Sequence, residues 1–168
     1  ILNGQFMRTK DGPRVIEFNP RFGDPEAMNV LSILSSSFTD ICSGIASGRL
    51  NSDRVSFYDK ATVCKYVVPE GYGTEPKAGK EISIDEKSIE NEGAMVYYAM
   101  VDKKGDKVYT TTSRSAGVVG IADTLEEAEK VCEKALTHVK GSALFVRHDI
   151  GKAELVQRRI EHMNQIRG

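Results

Sequence analysis

Hydrophobic and polar positions change their period along the chain. From Ile1 to Thr9 they alternate, with Leu2, Gly4 and Phe6 on one face and Ile1, Gln5 and Met7 on the other, which predicts a strand. Lys10-Asp11-Gly12-Pro13 is a turn signal, so residues 1–19 read as a hairpin whose second arm is Arg14 to Asn19. Alternation in that arm directs Ile16 and Phe18 to a core and Glu17, Asn19 and, if extension persists, Arg21 to the opposite face. Asp24-Pro25 predicts a helix start, the Asp capping free amides and the Pro occupying the first turn. Met28, Leu31 and Leu34 follow at near-helical spacing with Val30 beside them. Ser35-Ser36-Ser37 interrupts the run, and Phe38 to Ala46 opens a second helix closed near Gly48.

Beyond residue 55 the period shortens. Ala61 to Val68, Glu81 to Ile84, Ala94 to Asp102, Lys107 to Thr112 and Ser115 to Ala122 are β-branched or aromatic runs separated by Gly and Pro, with Lys103-Lys104-Gly105-Asp106 as a hairpin turn. Thr124-Leu125-Glu126-Glu127 is a capping box, predicting a helix to about His138 with a Glu126–Lys130 pair on its solvated face. A strand at Ala143 to Val146 and a last helix from about Gly151, with Val156, Ile160 and Met163 on one face, complete the pattern. An opening in mid-strand, without an initiator Met or a signal-peptide pattern, predicts a missing upstream segment that completes the sheet.

Composition narrows the function classes. A chain of 168 residues, 28% charged and 40% hydrophobic, is globular. A net charge of -1 gives no global basis for binding nucleic acid or an anionic membrane, and no apolar run reaches the roughly 18 residues of a membrane helix. Cys42, Cys64 and Cys132 are odd in number and widely spaced, which points to a reducing cytosol rather than a disulfide or zinc framework. His138, His148 and His162 share no metal-ligand spacing and read as surface or capping residues.

The residues that carry chemistry lie at the end of the second strand. Glu17 and Asn19 offer oxygen ligands suited to a hard cation that keeps several waters and takes its other oxygens from phosphates. Arg21 can grip a carboxylate or phosphate in bidentate fashion. Taken without its surroundings, Glu-x-Asn reads first as an ordinary polar strand face.

The longer string Val15-Ile16-Glu17-Phe18-Asn19-Pro20-Arg21-Phe22-Gly23-Asp24-Pro25-Glu26 resembles the signature of the phosphoribosylamine-glycine ligase family of ATP-grasp enzymes. Pro69-Glu70-Gly71-Tyr72-Gly73, Thr111 to Ala128 and Leu144 to Gly151 extend the resemblance over essentially the whole chain. Two positions depart from the family pattern: Gly73 stands where Pro is common, and Thr112-Ser113-Arg114 where Gly-Gly-Arg is common. The resemblance implies an α+β fold, with residues 1–50 as the C-terminal part of an ATP-grasp lobe and residues 51–168 as a small mostly-β domain with two helices. It also implies a cytoplasmic ligase of purine biosynthesis that joins glycine to 5-phosphoribosylamine using ATP through an acyl phosphate. Glu17 and Asn19 would bind Mg²⁺ or Mn²⁺ on the ATP phosphates, and Arg21 would orient the carboxylate and its acyl phosphate. The chain has no Gly-rich phosphate loop of its own, so the upstream part of the enzyme is an expected partner and the isolated chain is expected to be inactive. The alternatives are another ATP-grasp ligase or carboxylase, and a non-catalytic assembly module. Asp24 is read as a helix cap, Glu26 as a complement to the helix dipole, Arg114 as an anion ligand or an exposed strand residue, and Arg147 with Asp149 as a pair or a cap.

Overall fold

A computed structural model of the chain describes residues 1–167. Asn3–Thr9 (β1) and Gly12–Asn19 (β2) form the antiparallel hairpin at the predicted turn. Its two faces differ from simple alternation. Asn3 faces Asn19 and Gln5 faces Glu17, but Phe6 faces Val15, so Ile16 is an extra residue on β2. Such a bulge twists the strand and re-aims the side chains that follow it. Ile16 and Phe18 do not enter a core: they are 56% and 54% exposed, because the ribbon has no second layer among the described residues. Phe18 packs edge-on against Phe6 instead, with ring centroids 5.7 Å apart.

Two helices follow, Glu26–Leu31 (α1) and Phe38–Ala46 (α2). The Ser37 hydroxyl accepts the Asp40 N–H and caps α2. Helix α1 stops earlier than the apolar spacing predicts, since Leu34 leaves it to bridge Phe57 and Ser35 N–H donates to the Ser56 carbonyl at 3.0 Å. Asp24 is not its cap. Pro25 holds the capping position without a side-chain bond, and the Asp24 carboxylate is engaged elsewhere by stronger partners, a phenol and a guanidinium.

After a 3-10 turn at Ser52–Arg54 come Ala61–Pro69 (β3), Glu81–Ile84 (β4), Glu86–Asn91 (α3), Ala94–Tyr98 (β5), Val101–Lys104 (β6), Lys107–Thr110 (β7), Ala116–Ala122 (β8), Leu125–Leu136 (α4), Val139–Gly141 (β9), Leu144–Val146 (β10) and Ala153–Arg167 (α5). They build two antiparallel four-stranded sheets, ordered β10-β3-β8-β5 and β6-β7-β4-β9. The fold class is α+β, as expected. This part carries three helices rather than two, because α3 is short. Its signal is nevertheless present: Asp85 accepts the Ser88 N–H as a cap, and Ile89 is fully buried. The predicted strand Ala94 to Asp102 is two strands in different sheets. N–H groups of Ala99 and Met100 donate to the Ser115 and Arg114 carbonyls at 2.9 Å, after which Val101 pairs with Thr110. Strand β9 was not predicted, being only three residues long. Gly73 has φ +89, which the proline ring forbids, so Pro would not fit the backbone at this position. No described helix is long and apolar enough to cross a membrane.

The first sheet is covered on both faces. Helix α4 begins with both halves of its capping box formed and turns Ala128, Cys132, Ala135 and Leu136 toward Val63 and Val67 of β3 and Val118 of β8. Small residues allow a close approach: a Cβ on Gly120 would lie 2.1 Å from the Ala128 carbonyl oxygen and 2.6 Å from Cys132 N. On the other face Met28 of α1 lies over Gly117, and Asn29 Nδ2 donates to Thr62 Oγ1 at 2.9 Å.

One charge is buried on the α4 side. Lys65 Nζ, with no exposed surface, donates to Glu129 Oε1 at 2.7 Å, Glu133 Oε1 at 2.6 Å and the His148 carbonyl at 3.0 Å. All three ammonium hydrogens are thereby matched, as burial of an ion demands. Burial acts to lower the Lys65 pKa, but the two carboxylates outweigh it and hold it above its usual 10.5. Glu133 is pushed up by burial and pulled further down by Lys65 and His148, so it lies below its usual 4.5. Glu133 therefore contributes stability that is present above pH 4.5 and lost as pH falls through its lowered pKa. The Lys65 contribution is present below pH 10.5 and lost as pH rises through its raised pKa. Urea unfolding across roughly pH 3–5 should show a flatter acid limb for Glu133→Gln than for the parent chain. Gly120→Ala should destabilise by about 1–3 kcal/mol or more, because backbone of α4 rather than a side-chain tip must move; thermal unfolding checks it.

Candidate functional site

The polar end of the hairpin is assembled from both strands. Directly opposed pairs share a face, so Asn3, Gln5, Glu17 and Asn19 form one polar patch, opposite the Phe6–Phe18 face. Asn19 Nδ2 donates to Glu17 Oε1 at 2.9 Å. Asn3 Oδ1 across from Asn19 is buried and accepts no hydrogen bond. Sequence reasoning missed Asn3 and identified Gln5 only as a β1 face residue. The hairpin turn would have suggested their register, but the bulge at Ile16 that sets it leaves no mark in the sequence.

Arg21 does not join the pair. Strand β2 ends at Asn19, since Pro20 has no N–H to continue the ladder, and Arg21 Nη1 turns back to donate to the Phe22 carbonyl at 2.8 Å. Its remaining donors are free of protein partners among the described residues. The loop then passes through Gly23, where a Cβ would meet Glu26 Oε2 at 2.4 Å and Asn3 Nδ2 at 2.7 Å. The Gly23 position thus brings the start of α1 against the polar patch.

The donor set fits a hard divalent cation only in part. A carboxylate and a carboxamide lie side by side, and a half-turn of the Asn19 amide presents two oxygens together. No cluster of three or more His, Cys, Asp or Glu able to hold a metal occurs among the described residues. Such an edge suits a cation whose other ligands are water and phosphate oxygens, as Mg²⁺ prefers. The histidines take other roles: His148 Nδ1 meets Glu133 at 3.0 Å, and His138 lies 3.5 Å from Glu92. Arg147 and Asp149 pair in fork geometry with both contacts at 2.6 Å, and the Arg147 hydrogen bond draws the Asp149 pKa down to about 2. A cysteine nucleophile has no support. Burial pushes Cys64 up to about 12 and Cys132 up to about 11, leaving both as thiols.

Two antiparallel four-stranded sheets, the first packed against α4, and a leading hairpin with a polar end define an α+β module. The solved structure of a phosphoribosylamine–glycine ligase from Thermotoga maritima has the same fold, with a TM-score of 0.72 and 24% identity over 88% of this chain and 36% of that one. The sequence model of the family described as phosphoribosylglycinamide synthetase, C domain, matches residues 62–153, and the chain belongs to this family. Proteins named phosphoribosylamine–glycine ligase are 51% identical over 167 residues in Methanocaldococcus jannaschii and 54% identical over 167 residues in Methanothermobacter thermautotrophicus. Each alignment covers 99% of this chain, and it spans 37% and 38% of the two relatives respectively. The chain therefore spans a little over a third of the length of these relatives.

Ellman's reagent should titrate one thiol, the exposed Cys42, in the native chain and all three after denaturation. Rapid native reaction of a second thiol would contradict the buried placement of Cys64 and Cys132.

Proposed function

We propose that this chain carries the metal-binding and carboxylate-orienting edge of a phosphoribosylamine–glycine ligase. In that reaction ATP phosphorylates the carboxylate of glycine, and the amine of 5-phosphoribosylamine displaces phosphate to give glycinamide ribonucleotide and ADP. The observation that carries this reading is the Glu17 carboxylate and Asn19 carboxamide lying side by side at a bulged strand end in a chain of this family. Residues 1–50 are the C-terminal part of the ATP-grasp lobe in this reading, and segments outside this chain supply the adenine and phosphate-loop contacts.

Glu17 and Asn19 would hold Mg²⁺ or Mn²⁺, which when bound neutralises charge on the ATP phosphates. Arg21 supplies a guanidinium whose unused donors can bind the glycine carboxylate and then its phosphorylated form in bidentate fashion. Phosphoryl transfer is met by positioned positive charge rather than by a side-chain nucleophile, which agrees with a chain whose buried cysteines, on β3 and α4, stay protonated. The Asn3 Oδ1 acceptor beside Asn19 adds a further oxygen to the edge.

In the full-length ligase, Glu17→Ala should lower kcat by about a hundredfold or more while leaving the circular dichroism spectrum unchanged. Unaltered turnover would exclude the catalytic assignment of this strand, and turnover with an acid other than glycine in a substrate panel would redirect it to another ATP-grasp ligase.

A further inference from the structure

Asp24 leaves the loop that follows the Glu17–Asn19 strand end and reaches onto the first sheet of the β-rich part. Its Oδ1 accepts a short hydrogen bond from the Tyr66 phenol on β3, and its Oδ2 lies 2.8 Å from Arg114 Nη2. The Arg114 guanidinium also lies over the Tyr66 ring, 4.7 Å from its centroid. Three side chains distant in sequence thus close a triangle in which each touches the other two.

Two sides of this triangle are anchored. Tyr66 stands on β3, paired to Gly117 of β8. Arg114 sits in a loop with several ties: its carbonyl accepts from Met100 N–H, Ser115 N–H donates to the Val67 carbonyl, and Ser113 N–H donates to the Thr111 hydroxyl, which itself donates to the Met100 carbonyl. The Thr111 hydroxyl thus braces the start of the segment that departs from Gly-Gly-Arg. Asp24 is where the anchored groups take hold of the loop carrying Arg21. Burial first, then the Asp24 hydrogen bond, pushes the Tyr66 phenol above its ordinary range, so it remains a donor at all physiological pH.

We propose that Arg114 and Tyr66 are positioning residues for the ligase reaction, acting through Asp24 to set the loop of residues 20–25 and hence Arg21 against the Glu17–Asn19 edge. This rests on the function proposed above. Only Phe22 and Gly23 separate Arg21 from Asp24, so release of Asp24 frees Arg21 to shift by ångströms, and a misplacement of about 1 Å costs roughly a hundredfold in rate.

The test is steady-state kinetics on the full-length ligase with Asp24→Asn, Tyr66→Phe, Arg114→Met, Arg114→Lys, the Asp24→Asn/Arg114→Met double variant and Glu17→Ala. Asp24→Asn and Arg114→Met should each lower kcat by about ten- to a hundredfold with the KM for ATP and the unfolding midpoint little changed. The double variant should be no worse than the more damaged single, because both cut one link. Arg114→Lys should recover part of the loss by restoring charge without the ring contact, and Tyr66→Phe should show a smaller loss in the same parameter. Wild-type kcat in Asp24→Asn, or losses that multiply in the double variant as for an arginine that binds substrate itself, would overturn the proposal. Inactive Glu17→Ala beside fully active Asp24→Asn and Arg114→Met would overturn this inference alone. Fully active Glu17→Ala would overturn the function on which it rests.

Discussion

The close seat of α4 on β3 and β8 is the constraint on which the remaining structure depends. A helix of ordinary side chains would stand off the sheet, but Gly120 faces the backbone at Ala128 and Cys132, and the helix descends until backbone nearly touches backbone. That depth fixes the orientation of β3, whose odd and even residues point opposite ways. Val63, Lys65 and Val67 face α4, whereas Cys64 and Tyr66 face the loop and helix that descend from the hairpin. One strand therefore serves the core with one face and the candidate site with the other.

Each face of β3 carries a polar group that is affordable only because it is matched. Lys65 is enclosed with two carboxylates and a carbonyl, and these contacts join the sheet to α4 and to the segment before α5. Tyr66 is joined to Asp24, with Arg114 closing the set. The two networks lie on opposite sides of the same sheet. Both networks are thus anchored on one strand, which ties the loop that bears Arg21 to the sheet that α4 covers.

The hairpin shows how a candidate site is held on a weak local structure. A two-stranded ribbon with both faces exposed has little stability of its own. Its polar end is ordered by the Asn19–Glu17 bond, by the approach of Glu26 and Asn3 around Gly23, and by the hold on Asp24. The bulge at Ile16 adds the local twist that turns Glu17 and Asn19 to the same face as Asn3 and Gln5.

The amino-acid sequence alone determined what depends on neighbours in the chain: the hairpin turn, the capping box at Thr124, the Ser37 start of α2, the strand at Glu81–Ile84, and the Glu17–Asn19 spacing with its family signature. These follow from periodicity and short-range hydrogen bonding, which act over a few residues. Tertiary structure decided what requires a partner far away. It moved Asp24 from helix cap to bridge, because a phenol and a guanidinium brought by folding bind a carboxylate better than exposed amides do. It left Ile16 and Phe18 uncovered, broke the Ala94–Asp102 run between two sheets, and buried Lys65 among carboxylates from α4. A side chain's chemistry is local, but the choice among its possible partners is made only when distant segments meet.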